Sequence, residues 1–200
     1  MEIFADKTVF IAGAATDLTW RLMPVLERAE ARVILMDVDA DELMAMAQKG
    51  PSLIEPLPVG HLDAKTCTFV GDIWGEEPID VFLDLIALSD AGKPLQRLET
   101  CKAMLAAFEP ALMSADGGVI SIIPKSHPKD DVATQVAESG QLKLAETLGD
   151  KWARWRVTYN VLRPEQGASA SSMAKAVSVA VQAGWDNFTG VHIPIASAAH

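Results

Sequence analysis

Short unbroken apolar runs alternate along this chain with longer segments in which apolar residues recur every three or four positions. Residues 8–12 form the first run, closed by Gly13, and read as a strand buried on both faces of a parallel sheet. Leu18, Leu22, Val25, Leu26 and Ala29 then make a helical stripe that Thr16 or Asp17 can cap and that runs through Glu30. Residues 32–36 are a second strand ending at Asp37, and residues 41–49 a short helix stopped by Gly50 and Pro51. Residues 53–59 hold two prolines, so a third strand there would sit badly inside a sheet. The next segment carries few signals and is left as a loop until residues 79–88, which read as a central strand. Leu95, Leu98, Cys101, Leu105, Phe108 and Leu112 mark one helix, ended before the turn at Asp116, Gly117 and Gly118. Residues 119–123 give a strand. Val132 to Trp155 gives a long helix, weakened at Gly140 by about 1 kcal/mol relative to alanine. A strand at 156–162, a helix at 172–183 and a short strand at 190–195 complete the series.

Such alternation predicts an α/β fold: a doubly wound parallel sheet in a single domain over residues 1–195, followed by a tail at 196–200. Composition agrees, with 200 residues, half of them hydrophobic and 22% charged. Lys plus Arg total 17 against 27 Asp plus Glu, and the net charge of −10 argues against nucleic acid or an anionic membrane as a partner. No apolar stretch approaches the roughly 18 to 20 residues of a membrane helix. The first residues lack the basic-then-apolar order of a signal peptide, so a cytoplasmic location is expected. Cys67 and Cys101 are too few for a disulfide framework or a four-cysteine zinc site, and His61, His127, His192 and His200 show no ligand spacing, so no metal is expected. His61 with Asp63, or His127 with Lys125, could pair as a general base, but neither has a nucleophile or metal motif beside it. Met36, Met44, Met46 and Met104 read as core filling, and Cys101 as a buried thiol.

Taken in order, the stretch from Lys7 to Ala15, the strand from Val33 to Asp37, Ile79-Asp80-Val81, Gly117 to Ile122, Arg156 to Pro164 and Phe188-Thr189-Gly190 resemble the short-chain dehydrogenase/reductase family over nearly the whole chain. That resemblance implies a Rossmann-like sheet, which in the family holds NAD or NADP at the strand ends and works with a Ser, Tyr and Lys set. Position by position, the implied chemistry is missing. The three glycine places of the phosphate loop read Gly13, Asp17 and Thr19, where a carboxylate and a side chain oppose a pyrophosphate, and Pro24 is expected to kink or delay the helix start. Asp37 stands where NAD-preferring members bind the ribose, and the amide-rich stretch beside the nicotinamide falls on Asp84, Leu85, Ile86 and Ala87. Counting back from Arg156, the Tyr and Lys places fall on Val132 and Val136, and the serine place on Ile123 or Pro124, with Ser121 and Ser126 near it. Tyr159, the one tyrosine, lies in a later strand. The segment that covers substrate after Pro164 is missing, since Glu165 to Ser169 run almost directly into the last helix.

No catalytic, cofactor-binding or metal residue is therefore expected in this chain. The helices at 95–112 and 131–154 correspond to those that pair as a four-helix bundle between subunits of the family, and Trp152, Trp155 and Trp185 lie near them. The expectation is a non-catalytic subunit of a hetero-oligomer, a heterotetramer, whose NAD sits on a catalytically active paralogue. Heteromeric members of this kind include hydroxybenzylsuccinyl-CoA dehydrogenase of anaerobic toluene degradation. The alternative is a stand-alone small-molecule sensor using the same crevice.

Overall fold

The computed structural model describes residues 3–49, 53–89, 92–182 and 188–197. Seven strands, β1 (Thr8–Ala12), β2 (Arg32–Asp37), β3 (Ile54–Pro58), β4 (Val81–Asp84), β5 (Gly118–Ile122), β6 (Thr158–Pro164) and β7 (His192–Ile195), form one sheet in the order β3-β2-β1-β4-β5-β6-β7. Every neighbouring pair is parallel. The connections are the helices α1 (Asp17–Arg28), α2 (Ala40–Lys49), α3 (Ala64–Trp74), α4 (Pro94–Ala107), α5 (Glu109–Ser114), α6 (Val132–Trp152) and α7 (Ala170–Gln182). This is the α/β doubly wound arrangement that the apolar runs imply.

Residues alternate between the two faces of each strand, and each face has its own core. Val9, Ile11, Val33, Leu35, Val81 and Leu83 pack under α1, α2 and α7. Phe10, Ala12, Phe82, Val119, Tyr159 and Val161 pack under α3 to α6. Phe10 and Phe82 are register partners and stack at 5.1 Å, with Phe108 at 4.7 Å from Phe10. Met36, Met46 and Met104 fill these cores as expected, whereas Met44 stands exposed on α2.

Several elements differ from expectation, each for a physical reason. The proline-bearing strand exists at an edge: Val59 donates to Asp37 O, so the odd positions of β3 face β2 while Pro56 and Pro58 turn outward, where no N–H is required. The segment left as a loop contains α3. Cys67, Val70 and Trp74 pack inward against the sheet, but Phe69 and Ile73, 63% and 71% exposed, blur that stripe in the sequence, and the helix is fixed at its ends by the Asp63 side chain accepting from Thr66 N at 2.8 Å and by Gly75. β4 stops at Asp84, and a 3₁₀ turn, Ile86–Leu88, replaces the rest of the predicted strand. The predicted helix at 95–112 is two, because Pro110 has no N–H for the Ala106 carbonyl, and the axis breaks at Phe108. Pro24 neither delays α1 nor prevents it; the helix starts at Asp17 under its Thr16 cap, and the cost falls on the Trp20 carbonyl, which loses its partner. Trp185 and His200 lie outside the described residues.

Two helix glycines mark close crossings. A Cβ on Gly71 would meet Ala107 Cβ at 2.4 Å and the Ala107 backbone at 3.0 Å, whereas one on Gly140 would meet only the end of Leu98, at 2.6 Å. Gly71→Ala is therefore expected to destabilise by about 1–3 kcal/mol through overpacking of α3 on α4. Gly140→Ala should stay near neutral, because Leu98 can rotate and alanine gains about 1 kcal/mol in helix propensity. Urea unfolding of both variants checks the contrast.

Candidate functional site

In a sheet of this order the switch point lies between β1 and β4, and a ligand crevice opens at the carboxyl ends of the strands. The loop after β1 begins with Gly13 at φ +72°, and a Cβ there would lie 2.9 Å from Ile86 N and from the Leu85 carbonyl carbon. Glycine is needed at this place because two stretches of the chain's own backbone meet.

The N–H groups of this loop point back into the protein. Gly13 and Ala14 both donate to Met36 O, at 3.0 and 3.2 Å, and Thr16 N donates to Ala14 O at 2.8 Å. Ala15 N donates to Asp37 Oδ2 at 3.0 Å, and Asp37 Oδ1 accepts from Val38 N at 2.7 Å and Asp39 N at 3.3 Å. Asp37 is thus a buried clasp between the ends of β1 and β2. Thr19, fully buried at the third glycine place, holds its hydroxyl 3.1 Å from that of Thr16, whose Oγ1 also accepts from Thr19 N.

At the far side of the crevice, α6 turns Val132 and Val136 outward, 75% and 49% exposed. Thr134, Ala137, Glu138 and Gln141 line a small cavity of about 80 Å³ with Ile123 and Pro124. Two pairs spaced four apart face the end of β5, Thr134 with Glu138 and the more deeply buried Ala137 with Gln141, and neither is the pair that the count from Arg156 gives. Glu138 accepts from Ser126 N at 2.9 Å and pairs with Arg163 of β6, so a carboxylate pins the β5–α6 loop to the sheet. Five residues, 165–169, join β6 to α7.

The two candidate base pairs come out differently. His127 and Lys125 both line a larger cleft of about 710 Å³, with Leu88, Pro164 and Met173, but the His127 Nδ1 is spent on Lys129 N at 3.1 Å. His61 and Asp63 line a second cleft, of about 580 Å³, near the end of β2. Asp63 serves as the cap of α3, and the Thr66 N–H holds its carboxyl below the usual range. Among the described residues no group of His, Cys, Asp and Glu could hold a metal, and no helix is long and apolar enough to cross a membrane. Trp152, expected near an interface, is wholly buried against Tyr159, and Trp155 is half-buried under Arg154.

One buried site escaped the sequence pattern. Asp84, at the end of β4, is buried and accepts from Ser121 Oγ at 2.8 Å, Cys101 Sγ at 2.9 Å and Ile86 N at 3.1 Å. Ser121 Oγ lies 2.9 Å from the hydroxyl of Tyr159, which is itself wholly buried. Burial raises the Asp84 carboxyl above its ordinary range, drives the Tyr159 hydroxyl and Cys101 thiol well above theirs, and pushes Cys67 up to about 12. A carboxylate closing an otherwise apolar strand was the available signal.

No family model matches the sequence, and no curated protein matches it. Solved structures do. A short-chain dehydrogenase/reductase from Burkholderia xenovorans aligns with a TM-score of 0.80 at 14% identity, covering 98% of this chain and 96% of that one. A metagenomic short-chain oxidoreductase in complex with NADP gives 0.81 at 16% identity, over 99% of this chain and 100% of that one. A citronellol catabolism dehydrogenase from Pseudomonas aeruginosa gives 0.79 at 16%, over 98% and 96%. The chain has the single-domain, Rossmann-like fold of short-chain dehydrogenases and reductases.

Asp37→Ala would leave the N–H groups of Ala15, Val38 and Asp39 without their acceptor. A loss of about 1–3 kcal/mol in stability is expected by denaturant unfolding, with no change in oligomeric state by light scattering.

Proposed function

We propose that this chain is a non-catalytic subunit with the short-chain dehydrogenase fold, that it carries no dinucleotide, and that it assembles with a catalytically active paralogue which holds the NAD. The observation that carries this reading is the inward turn of the loop after β1. A pyrophosphate is held in such folds by free N–H groups at the loop and helix start. Here Gly13, Ala14, Ala15 and Thr16 spend theirs on Met36 O, the Asp37 carboxylate and Ala14 O. Asp17 adds a negative charge at the helix start, and Thr19 fills the space a third glycine would leave.

The cleft supports the same reading. Of the residues that α6 presents there, Thr134 spends its hydroxyl on the Asp131 carboxylate at 3.0 Å, and Glu138 places a carboxylate where the family's lysine would depress the pKa of a tyrosine. The one phenol, Tyr159, is sealed under the sheet surface and driven toward its neutral form. Association is favoured by the outer sides of α3, α4 and α6, where Phe69, Ile73, Leu95, Val132 and Val136 are exposed.

Calorimetry with NADH and with NADPH at millimolar concentration should give no saturable heat with the purified chain. The tagged chain, recovered from its native source, should bring down an intact short-chain dehydrogenase in a fixed ratio, and NADH should bind that complex only through the second chain. Saturable dinucleotide binding by the chain alone, or a lone homodimer that ignores the candidate dehydrogenase by light scattering, would overturn the proposal.

A further inference from the structure

The proposed role uses none of the polar groups buried beneath the cleft. Four side chains from four elements close a ring there: Asp84 of β4, Ser121 of β5, Tyr159 of β6 and Cys101 of α4, the Tyr159 hydroxyl also reaching the Cys101 thiol. Asp84 is 2% exposed. The groups facing it are Cys67 from α3, Cys101 from α4, Ser121 from β5 and Tyr159 from β6, while β1 presents Ala12. None is a cation. Arg97, one turn before Cys101, donates instead to the carbonyls of Ala87 and Ser89, at 3.3 and 3.0 Å.

Counting hydrogens gives two complete arrangements of this ring. With Asp84 ionised, Ser121 and Cys101 both donate to the carboxylate and Tyr159 donates to Ser121. With Asp84 protonated, the direction reverses: the acid donates to Ser121, Ser121 to Tyr159, Tyr159 to Cys101, and Cys101 back to Asp84. Each hydrogen is then used once, and the bonds polarise one another around the circuit. The ionised form leaves an uncompensated charge in an apolar core, served on its ring side only by a hydroxyl and a weak thiol donor. In both forms Asp84 Oδ1 holds Ile86 N, the start of the 3₁₀ turn whose Ala87 and Leu88 line the two cavities at the end of β5.

We propose that Asp84 is a proton-binding site beneath the cleft: the native chain takes up a proton there, and the fold loses stability as pH rises and that proton leaves. Burial acts in the same direction on the Asp84 carboxyl. The sign follows by linkage. Unfolded, the carboxyl loses its proton above about pH 4; folded, it keeps it to higher pH. Stability contributed by the site is therefore full at low pH and falls as pH rises toward the native titration point, the unfolding constant growing by up to about tenfold per pH unit.

The test compares the intact chain with Asp84→Asn, using denaturant unfolding between about pH 5 and 8. The unfolding constant of the parent is expected to rise with pH relative to that of the variant, by about threefold or more over this range. Parallel profiles in the two proteins overturn the proposal. Should Asp84→Asn fail to fold, the infrared carbonyl band of a protonated carboxyl in the parent decides. Its persistence above about pH 6 supports the proposal, and its absence there overturns it.

Discussion

A parallel sheet covered on both faces admits polar side chains only where other parts of the chain satisfy them, and that constraint organises this molecule. The five inner strands bury nearly every side chain, so polar groups there are confined to the strand ends or must find partners inside. Asp37 and Asp84 show the two outcomes. Both close a strand, but the first is filled by backbone N–H groups, whereas the second depends on the side chains of Cys101 and Ser121 and, through Ser121, on Tyr159. Both bear on the crevice, one from each side of the switch point.

Much of this was legible in the residues. Strands β1 and β2 and helices α2 and α7 follow their apolar runs closely, because a doubly buried strand and a one-sided helix leave different periods. What escaped had other causes. α3 packs Cys67, Val70 and Trp74 inward, but exposed Phe69 and Ile73 blur that stripe, and its capping aspartate and the close fit of Gly71 against Ala107 leave no apolar period. The break at Phe108 turns on the missing N–H of Pro110, while the apolar spacing continues across it. β4 is short because Asp84 and the Ile86–Leu88 turn take over an apolar run that looks like continued strand.

The candidate site was legible as substitutions and not as geometry. Gly13, Asp17 and Thr19 could be seen to depart from a phosphate loop, but the sequence carries no sign that the loop's N–H groups are already occupied. Helix phase decided the other half. Counting from Arg156 puts Val132 and Val136 at the cleft, whereas α6 presents Thr134 and Glu138, and only the packed helix reveals the Glu138 link to Ser126 and Arg163. Asp84 was visible only as a replaced amide; its role required three distant segments to be brought within hydrogen-bond distance.

The prolines of the outer strands bear on how such a chain can meet others. Pro56 and Pro58 face outward on β3, and by the same alternation Pro194 faces outward on β7, since Val191 and Ile195 on either side turn their carbonyls to β6. Neither margin of the sheet presents a continuous row of donors to a foreign strand. Continuation of the sheet from one molecule into the next is thereby disfavoured at both ends, which leaves the helical faces as the surfaces on which a neighbour can settle.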